Sequence, residues 1–494
     1  MNNKKVCIVG AGLSGGTIAY KLSKSGIDVT LLEVGASSPK PYEGLNEKWN
    51  LDSHKSVFTR GSGIGGTSNF WHGGLTFLDK NDVNGVSDYN SSSKFPINYD
   101  ELVYWYEEAV NFTTADNKYN FSNINSAASS LSDNDFKINS RKFKYKGLLY
   151  PSTVFCTHEL INEASKIYSL KTICSAEVLK FNVSDNGDIN EVVYKDAITG
   201  SIEVFEADIF ILCAGGLGSP KILLNSFKEH PKFSNLPIGK YLIDHPSGFV
   251  FKAKLKKKMN LGSLFGKQFG SSRVQYGFIL NEDELDITGN RNHILFLRPA
   301  LTMKDPLIYD SLKRKLVGYK GKRLGIKDLF YLIINSDLLY EAINFKFNLF
   351  NKTRYVSGLV FSEQLPSKSQ YMERVDNNMF EINWKITADE GGSVQKFVQE
   401  FISQHDSLIE DYVIYPNIAD RLDTAGHHSG GCRMSTTEKY GVVDENMRVF
   451  NTNNLYVSDG SVLGYSGHAN TGLTIIALAL RLSKKITDKL ADNE

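Results

Sequence analysis

The first thirty residues alternate apolar runs with a glycine turn. Val6, Ile8 and Val9 form a short apolar stretch closed by Gly10, which predicts a buried strand. Residues 14–25 read as a helix, and residues 28–32 as a second strand ending at Glu33. Further along, 99–110 predicts a helix with Asp100 as its N-cap, and 157–167 a helix followed by a strand over 172–181. Segments 191–194 and 201–205 predict antiparallel strands around turns. Residues 207–214 form an apolar strand closed by Gly215, Gly216, Gly218, Ser219 and Pro220, with a helix over 220–225. The stretches 81–93 and 111–140 are rich in Asn, Ser and Asp and are expected to be irregular.

The pattern changes between 249 and 400. Extended segments at 273–280, 294–298, 356–362, 371–374 and 383–386 are separated by polar turns and predict an antiparallel sheet. From 427 to 490 the earlier character returns, with a strand over 454–458 that ends at Asp459 and a long amphipathic helix over 474–489. One domain is thus expected to be discontinuous, with another inserted between its halves. The expected divisions are 1–248 with surface excursions at 81–150, then 249–420, then 421–494. A chain of 494 residues exceeds the size at which single cores stop growing, which agrees with two domains.

Gly10, Gly12 and Gly15 make a GxGxxG turn between the first strand and its helix. In such a unit the first glycine permits the tight turn, the second leaves room for a phosphate, and the third lets helix and strand pack closely. The helix N-terminus then faces a pyrophosphate with free amides. Glu33 stands 18 residues after Gly15, where its carboxylate can accept hydrogen bonds from a ribose. An acid there disfavours a 2'-phosphate, and with it NADP. A lone GxGxxG is weak, but here strand, turn, helix, second strand and terminal acid all agree on a dinucleotide. A second glycine-rich stretch, RGSGIGGTSNFWHGG from Arg60 to Gly74, has unobstructed backbone able to wrap a pyrophosphate, with Phe70, Trp71 and His72 beside it.

Charge and cysteine content narrow the function. Lys plus Arg number 56 and Asp plus Glu 55, so there is no general attraction to nucleic acid. The five cysteines share no CxxC spacing, which argues against a disulfide framework and a metal cluster and favours a reducing, cytoplasmic setting. No signal peptide and no long apolar span are expected. Residues 313–327 hold seven basic residues and no acid, followed by an apolar and aromatic segment to 350. This is a solvated face beside a packed helix or a peripheral contact with an anionic membrane.

His427 begins HHSGGCRM, next to glycines. Its pKa near neutrality suits a general base, although a histidine in such a place is more often a structural hydrogen-bonder.

Taken together, GAGLSGG with Glu33, GSGIGGTS, AGGLGSPKILLNS, GKYLIDHP, HHSGGCRM, GVVDENMRVFNTNNLYVSDGS and HANTGLTIIALA resemble the glucose-methanol-choline (GMC) oxidoreductases, in family order. The reactive-pair pattern is nearest the cholesterol oxidase and pyranose oxidase branch. The resemblance implies an α/β fold: a Rossmann-like FAD-binding domain in discontinuous segments, with an inserted α+β substrate domain on an antiparallel sheet. It implies that His427 is the general base and Asn470 its partner, with His468 a competing alignment for that partner.

The residues expected around FAD are Gly10, Gly12, Leu13, Ser14, Gly15, Glu33, Gly35, Arg60, Gly65, Gly66, Thr67, Asn69, Phe70, Trp71, Gly73, Val178, Ala214, Gly215, Asp459, Gly460, Asn470 and Thr471. Phe70 stands where covalently flavinylated relatives carry a histidine, so non-covalent FAD is expected; no metal is expected, since the cysteines share no CxxC spacing. The implied reaction is oxidation of an alcohol, leaning towards a sugar or polyol, with hydride passing to flavin N5 and then to oxygen or another acceptor. Oxidation of a lipid-linked or hydrophobic alcohol at a membrane surface, and a redox-silent flavin-binding protein or lyase, are the alternatives. A NAD-dependent dehydrogenase would leave the second glycine loop and the C-terminal segment unexplained.

Overall fold

The computed structural model describes residues 4–492 apart from 43, 50–59, 85–94, 115–123, 126–135, 137, 139–140, 169, 263, 289–290, 304–324, 328–329, 331–335, 338, 341–351, 377–378 and 466. Its N-terminal strand, β1 (Lys5–Val9), is buried from Val6 onward and leads through the glycine turn into α1 (Leu13–Lys24). Then follow β2 (Asp28–Leu32), β3 (Lys171–Ile173), β4 (Ile209–Leu212), α2 (Gly215–Phe227), β5 (Leu455–Val457) and α3 (Thr471–Ala491). The five strands form one parallel sheet in the order β5-β4-β1-β2-β3. This is the Rossmann-like half, and its last strand comes from the far end of the chain.

The expected antiparallel sheet is present as seven strands. Residues Phe265–Phe269, Ser272–Leu280, Ile294–Ala300, Lys352–Phe361, Ser247–Asn260 and Ile409–Ile414 follow one another across it. Phe143–Tyr150 joins by pairing with Ser272–Leu280. That last strand lies at the end of the 81–150 stretch, so this stretch contributes structure to the antiparallel sheet. Helix Ala388–Gln404 carries a capping box at Thr387 and Glu390 and buries Val394, Phe397, Val398, Phe401 and Ile402.

Several boundaries differ from the expectations. The helix at 99 extends to Thr114, and its first turn is capped by Asn98, whose side chain accepts the Asp100 amide at 2.8 Å; Asp100 itself is inside the helix. The strand expected over 172–181 is two strands, β3 and Ala176–Val183, because Ser175 adopts φ 58° between them. The glycines from 215 belong to α2, which runs through Pro220 rather than starting there. The strand expected at 383–386 is Phe380–Asn383. Short polar residues blurred these ends, since Asn, Ser and Gly are read as turns wherever they occur.

Candidate functional site

The site grows out of one edge of the parallel sheet. Gly10 leaves β1 with φ 102°, and a Cβ there would lie 2.4 Å from the Cys213 carbonyl oxygen at the end of β4. A Cβ on Gly15 would lie 1.8 Å from the Gly10 oxygen, so α1 touches the strand turn directly. A Cβ on Gly12, by contrast, would meet nothing within 4 Å. The turn is therefore closed towards the sheet and open on its outer side. Ser14 and Ser458 share a hydrogen bond of 2.9 Å, which ties α1 to the end of β5.

Three helices start at this edge without a side-chain cap: α1 at Gly12, α2 at Ala214 and α3 at Asn470. Uncapped N-termini leave first-turn amides for an outside anion, and the carboxyl ends of parallel strands are where such ligands sit. Asn470 is instructive. Asparagine is a preferred cap, yet this one makes no cap bond, so its amide is not committed to its own helix. Thr471, buried, opens the first turn of α3.

The glycine loop lies over these helix starts. A Cβ on Gly66 would be 2.9 Å from the Gly12 Cα, one on Gly472 2.4 Å from the Trp71 ring, and one on Gly74 3.4 Å from Asn470 Nδ2. Within the loop, Asn69 donates to the Ile64 and Gly66 carbonyls, Gly65 caps the short turn Gly66–Asn69, and Thr67 accepts the Gly61 amide. Trp71 donates to the Phe155 carbonyl at 2.8 Å. Gly73 packs on Val154, and Phe70 lies over Gly61 while remaining 38% exposed. Arg60 pairs with Glu47 at 2.6 Å, and Val178 is half-buried in Ala176–Val183.

Two acids expected to face the cofactor are engaged by the protein. Glu33 accepts the amides of Ala11 at 2.8 Å, Gly35 at 2.9 Å and Gly63 at 2.8 Å. Of the roughly four acceptor positions on a carboxylate, three are filled and one is left open. Burial raises the Glu33 pKa while those three amides oppose the rise. Asp459 accepts from the Gly215 amide, the Ser219 hydroxyl and both the amide and hydroxyl of Ser461, filling its acceptor positions. Its carboxylate thus fixes the start of α2 against Gly460, a role that spacing alone did not reveal.

His427 sits on a loop laid across this edge. A Cβ on Gly216 would lie 1.9 Å, and one on Gly460 2.8 Å, from the His428 carbonyl oxygen; Gly460 also faces Ile475 of α3. The loop is held from the other side by Asp244, which is 1% exposed. One oxygen of Asp244 receives the amides of both His245, at 2.6 Å, and His427, at 2.9 Å, and the other receives the Thr424 hydroxyl. The two histidine rings meet edge to face, Nδ1 to Nδ1 at 3.0 Å with an interplanar angle of 76°. Burial lowers the His427 pKa; Asp244 opposes this and His428 adds to it. Burial would raise the Asp244 pKa, but the charges of His428 and His427, with its hydrogen bonds, hold it down. Asp244, His245 and His427 could surround a cation by proximity, but the Asp244 oxygens are already occupied by amides and a hydroxyl. Asp244 and His245 were missed as site residues although they lie in GKYLIDHP, the one signal that could have found them.

His468 belongs to a separate, buried cluster. It is 2% exposed, neither ring nitrogen has a hydrogen-bond partner, and Nε2 lies 3.9 Å from Asp79 Oδ2. Asp79 is paired with Lys146 at 2.7 Å. Asn292 donates to Asp82 at 2.9 Å and, through its backbone, to Glu363. Burial pushes His468 down to about 3 and Glu363 up to about 8, the latter helped by Asp82. Burial also lowers His293, the neighbour of Asn292, to about 3.

Fold and edge together define a Rossmann-like dinucleotide-binding architecture with a separate antiparallel-sheet domain. Residues 374–479 match the GMC oxidoreductase C-terminal family and residues 8–38 the NAD(P)-binding Rossmann-like domain. The C-terminal region is thus similar to the GMC oxidoreductases. It is 30% identical over 136 residues to a cholesterol oxidase of Acinetobacter baumannii, covering 26% of this chain and 24% of that protein. It is 22% identical over 311 residues to the long-chain-alcohol oxidase FAO4B of Arabidopsis thaliana, covering 60% of this chain and 38% of the relative. The matched region thus spans well under half the length of either. Among solved structures, pyridoxine 4-oxidase from Mesorbium loti has a TM-score of 0.60 at 15% identity, covering 98% of this chain and 99% of that one. That likeness is one of fold.

Proposed function

We propose that this chain is an FAD-dependent oxidoreductase that oxidises the CH–OH group of a small alcohol, with His427 as base and Asn470 aligning the hydroxyl. The observation that carries the reading is Asn470 at the start of α3 with no cap bond. Gly460 joins that helix to the loop carrying His427, since it faces both the His428 carbonyl and Ile475. The open side of Gly12 and the uncapped start of α1 fit a pyrophosphate, and the remaining acceptor position on Glu33 fits a ribose. FAD, when bound, supplies the hydride acceptor. Non-covalent attachment is expected because Phe70 occupies the usual attachment position. We assign 1–248 and 421–494 to the FAD-binding domain and 249–420 to the substrate domain. The acceptor for the second half-reaction is oxygen or another oxidant, and the setting is cytoplasmic.

A sugar or polyol is the first substrate class to test, by anaerobic bleaching of the yellow protein. His427→Asn should retain flavin and slow its reduction by about 10²-fold, the scale of a lost general base. His468→Asn should do much less. Bleaching by no alcohol, or a greater loss in the His468 variant, would defeat this reading.

A second reading rests on a specific surface. In the 313–350 region, Ile326 is 88% exposed, Phe330 62% and Leu339 46%. The basic run itself lies outside the described residues except at 325–327. Exposed apolar side chains beside a basic run fit the headgroup layer of an anionic membrane and a lipid-linked or hydrophobic alcohol as substrate. No helix among the described residues is long and apolar enough to cross a membrane. Sedimentation with anionic liposomes at low and physiological salt tests this reading; failure to sediment at both removes it.

A further inference from the structure

The contact between His245 and His427 constrains which nitrogen of the base can react. A neutral imidazole has one N–H, so a 3.0 Å contact between two Nδ1 atoms needs one to donate and the other to accept. If His245 donated, His427 would carry its hydrogen on Nε2, the only ring nitrogen left for a substrate, and could not act as a base there. If His427 donates, its Nε2 holds a lone pair. Resting on the proposed function, we infer that His245 is a positioning residue: its Nδ1 accepts the His427 Nδ1 hydrogen, fixes the reactive tautomer, and takes over the proton during turnover.

The contact is built into the backbone. A single oxygen of Asp244 receives the amides of both histidines, so the segments 244–245 and 427 are pinned to one atom. Paired backbone bonds between Ile243 and Ser429, at 3.0 and 2.9 Å, hold the same two segments on the other side. His245 is fully buried, which keeps water from competing for its Nδ1. Among the described residues, Asp244 and His428 are charged or titratable groups facing the pair, and His468 is near enough to feel the charge of His245.

The proton balance is closed. The alcohol O–H breaks as its proton bonds to His427 Nε2, and its electron pair becomes the second bond of the carbonyl. The carbinol C–H pair would leave as hydride to the acceptor that FAD supplies when bound. The hydrogen on His427 Nδ1 moves to His245 Nδ1, so His427 ends neutral with its hydrogen on Nε2 and the pair keeps the one proton released. That proton must leave before the next turnover.

The test uses the holoenzyme labelled with 15N-histidine. His427, assigned by loss of its signal in His427→Asn, should carry hydrogen on Nδ1, and His245→Ala should shift it towards the Nε2–H form. In rapid mixing, His245→Ala should slow flavin reduction by about 10²-fold and move the acid limb of its pH profile. His245→Asn, whose Oδ1 can accept the His427 Nδ1 hydrogen but cannot take over the proton, should keep the Nδ1–H tautomer and be slowed less than His245→Ala. An Nε2–H tautomer in the unaltered protein, or equal slowing in both variants with an unmoved pH profile, would overturn the inference. Should His245→Ala not fold, the tautomers of the unaltered protein and of His245→Asn still decide. An unslowed His427→Asn would instead defeat the proposed base, whatever His245 does.

Discussion

The glycine-turn unit that opens the parallel half and the antiparallel sheet are specified at different ranges. In the parallel half, β1, the glycine turn, α1, β2 and Glu33 lie within thirty residues, and Gly15 meets the Gly10 oxygen inside that same turn. In the antiparallel half, Ser247 pairs with Phe361, and Ser272–Leu280 pairs with Phe143–Tyr150. Its register depends on residues more than a hundred positions apart. The same small change should therefore have different consequences in the two halves, one abolishing a ligand site and the other loosening a core.

Gly15→Ala gives the largest expected effect. Its Cβ would fall 1.8 Å from a backbone oxygen that cannot move without opening the turn, so a loss above about 3 kcal/mol and of bound FAD is expected. Thermal melting with released-flavin fluorescence measures both; retained FAD with native stability would erase the contrast. Gly358→Ala is the matched change in the other half, where the Cβ would meet the buried Phe251 ring at 2.0 Å. A side chain can shift, so about 1 to 3 kcal/mol is expected with the flavin spectrum unchanged. Loss of FAD in this variant would show that the halves are not independent.

The smallest effect is a slope. Glu363 is raised to about 8 from an ordinary value near 4.3, so the folded state holds a proton that the unfolded state releases. Its contribution is full below about pH 4.3 and is lost as pH rises through about 8, at up to about 1.4 kcal/mol per pH unit. His293 and His468 act oppositely: both are lowered to about 3, so they reduce stability as pH falls below about 6.5. Glu363→Gln should therefore flatten the decline in stability between pH 6.5 and 8, where the two histidines are silent. Denaturant midpoints across that range read it, and an unchanged slope would remove Glu363 as its source.

The same contrast explains what could be read from the chain alone. The parallel half was legible because strand, glycine turn and helix repeat as local units: β2 falls at the predicted 28–32, and the predicted strand over 454–458 contains β5. The antiparallel strands were legible as extended runs but not as partners, and Phe143–Tyr150 was hidden at the end of a polar stretch. At the site, the placement of Gly10, Gly12 and Gly15 followed from spacing. The acceptor positions filled on Asp459, and the joint grip of Asp244 on two histidines 182 residues apart in sequence, arise only when distant loops meet.

The late arrival of β5 also sets a timetable for biosynthesis. Some 240 residues separate β4 from β5 in the chain, which at about 5 to 20 residues per second takes roughly 12 to 50 s of translation. During that interval the β4 edge of the parallel sheet waits without its last strand, and for most of it the loop carrying His427 does not yet exist. A nascent chain stalled before Leu455 would hold a glycine turn with no Ser458 to brace α1. Cofactor loading would then follow the synthesis of β5, and chaperone protection of the open β4 edge would matter most in that window.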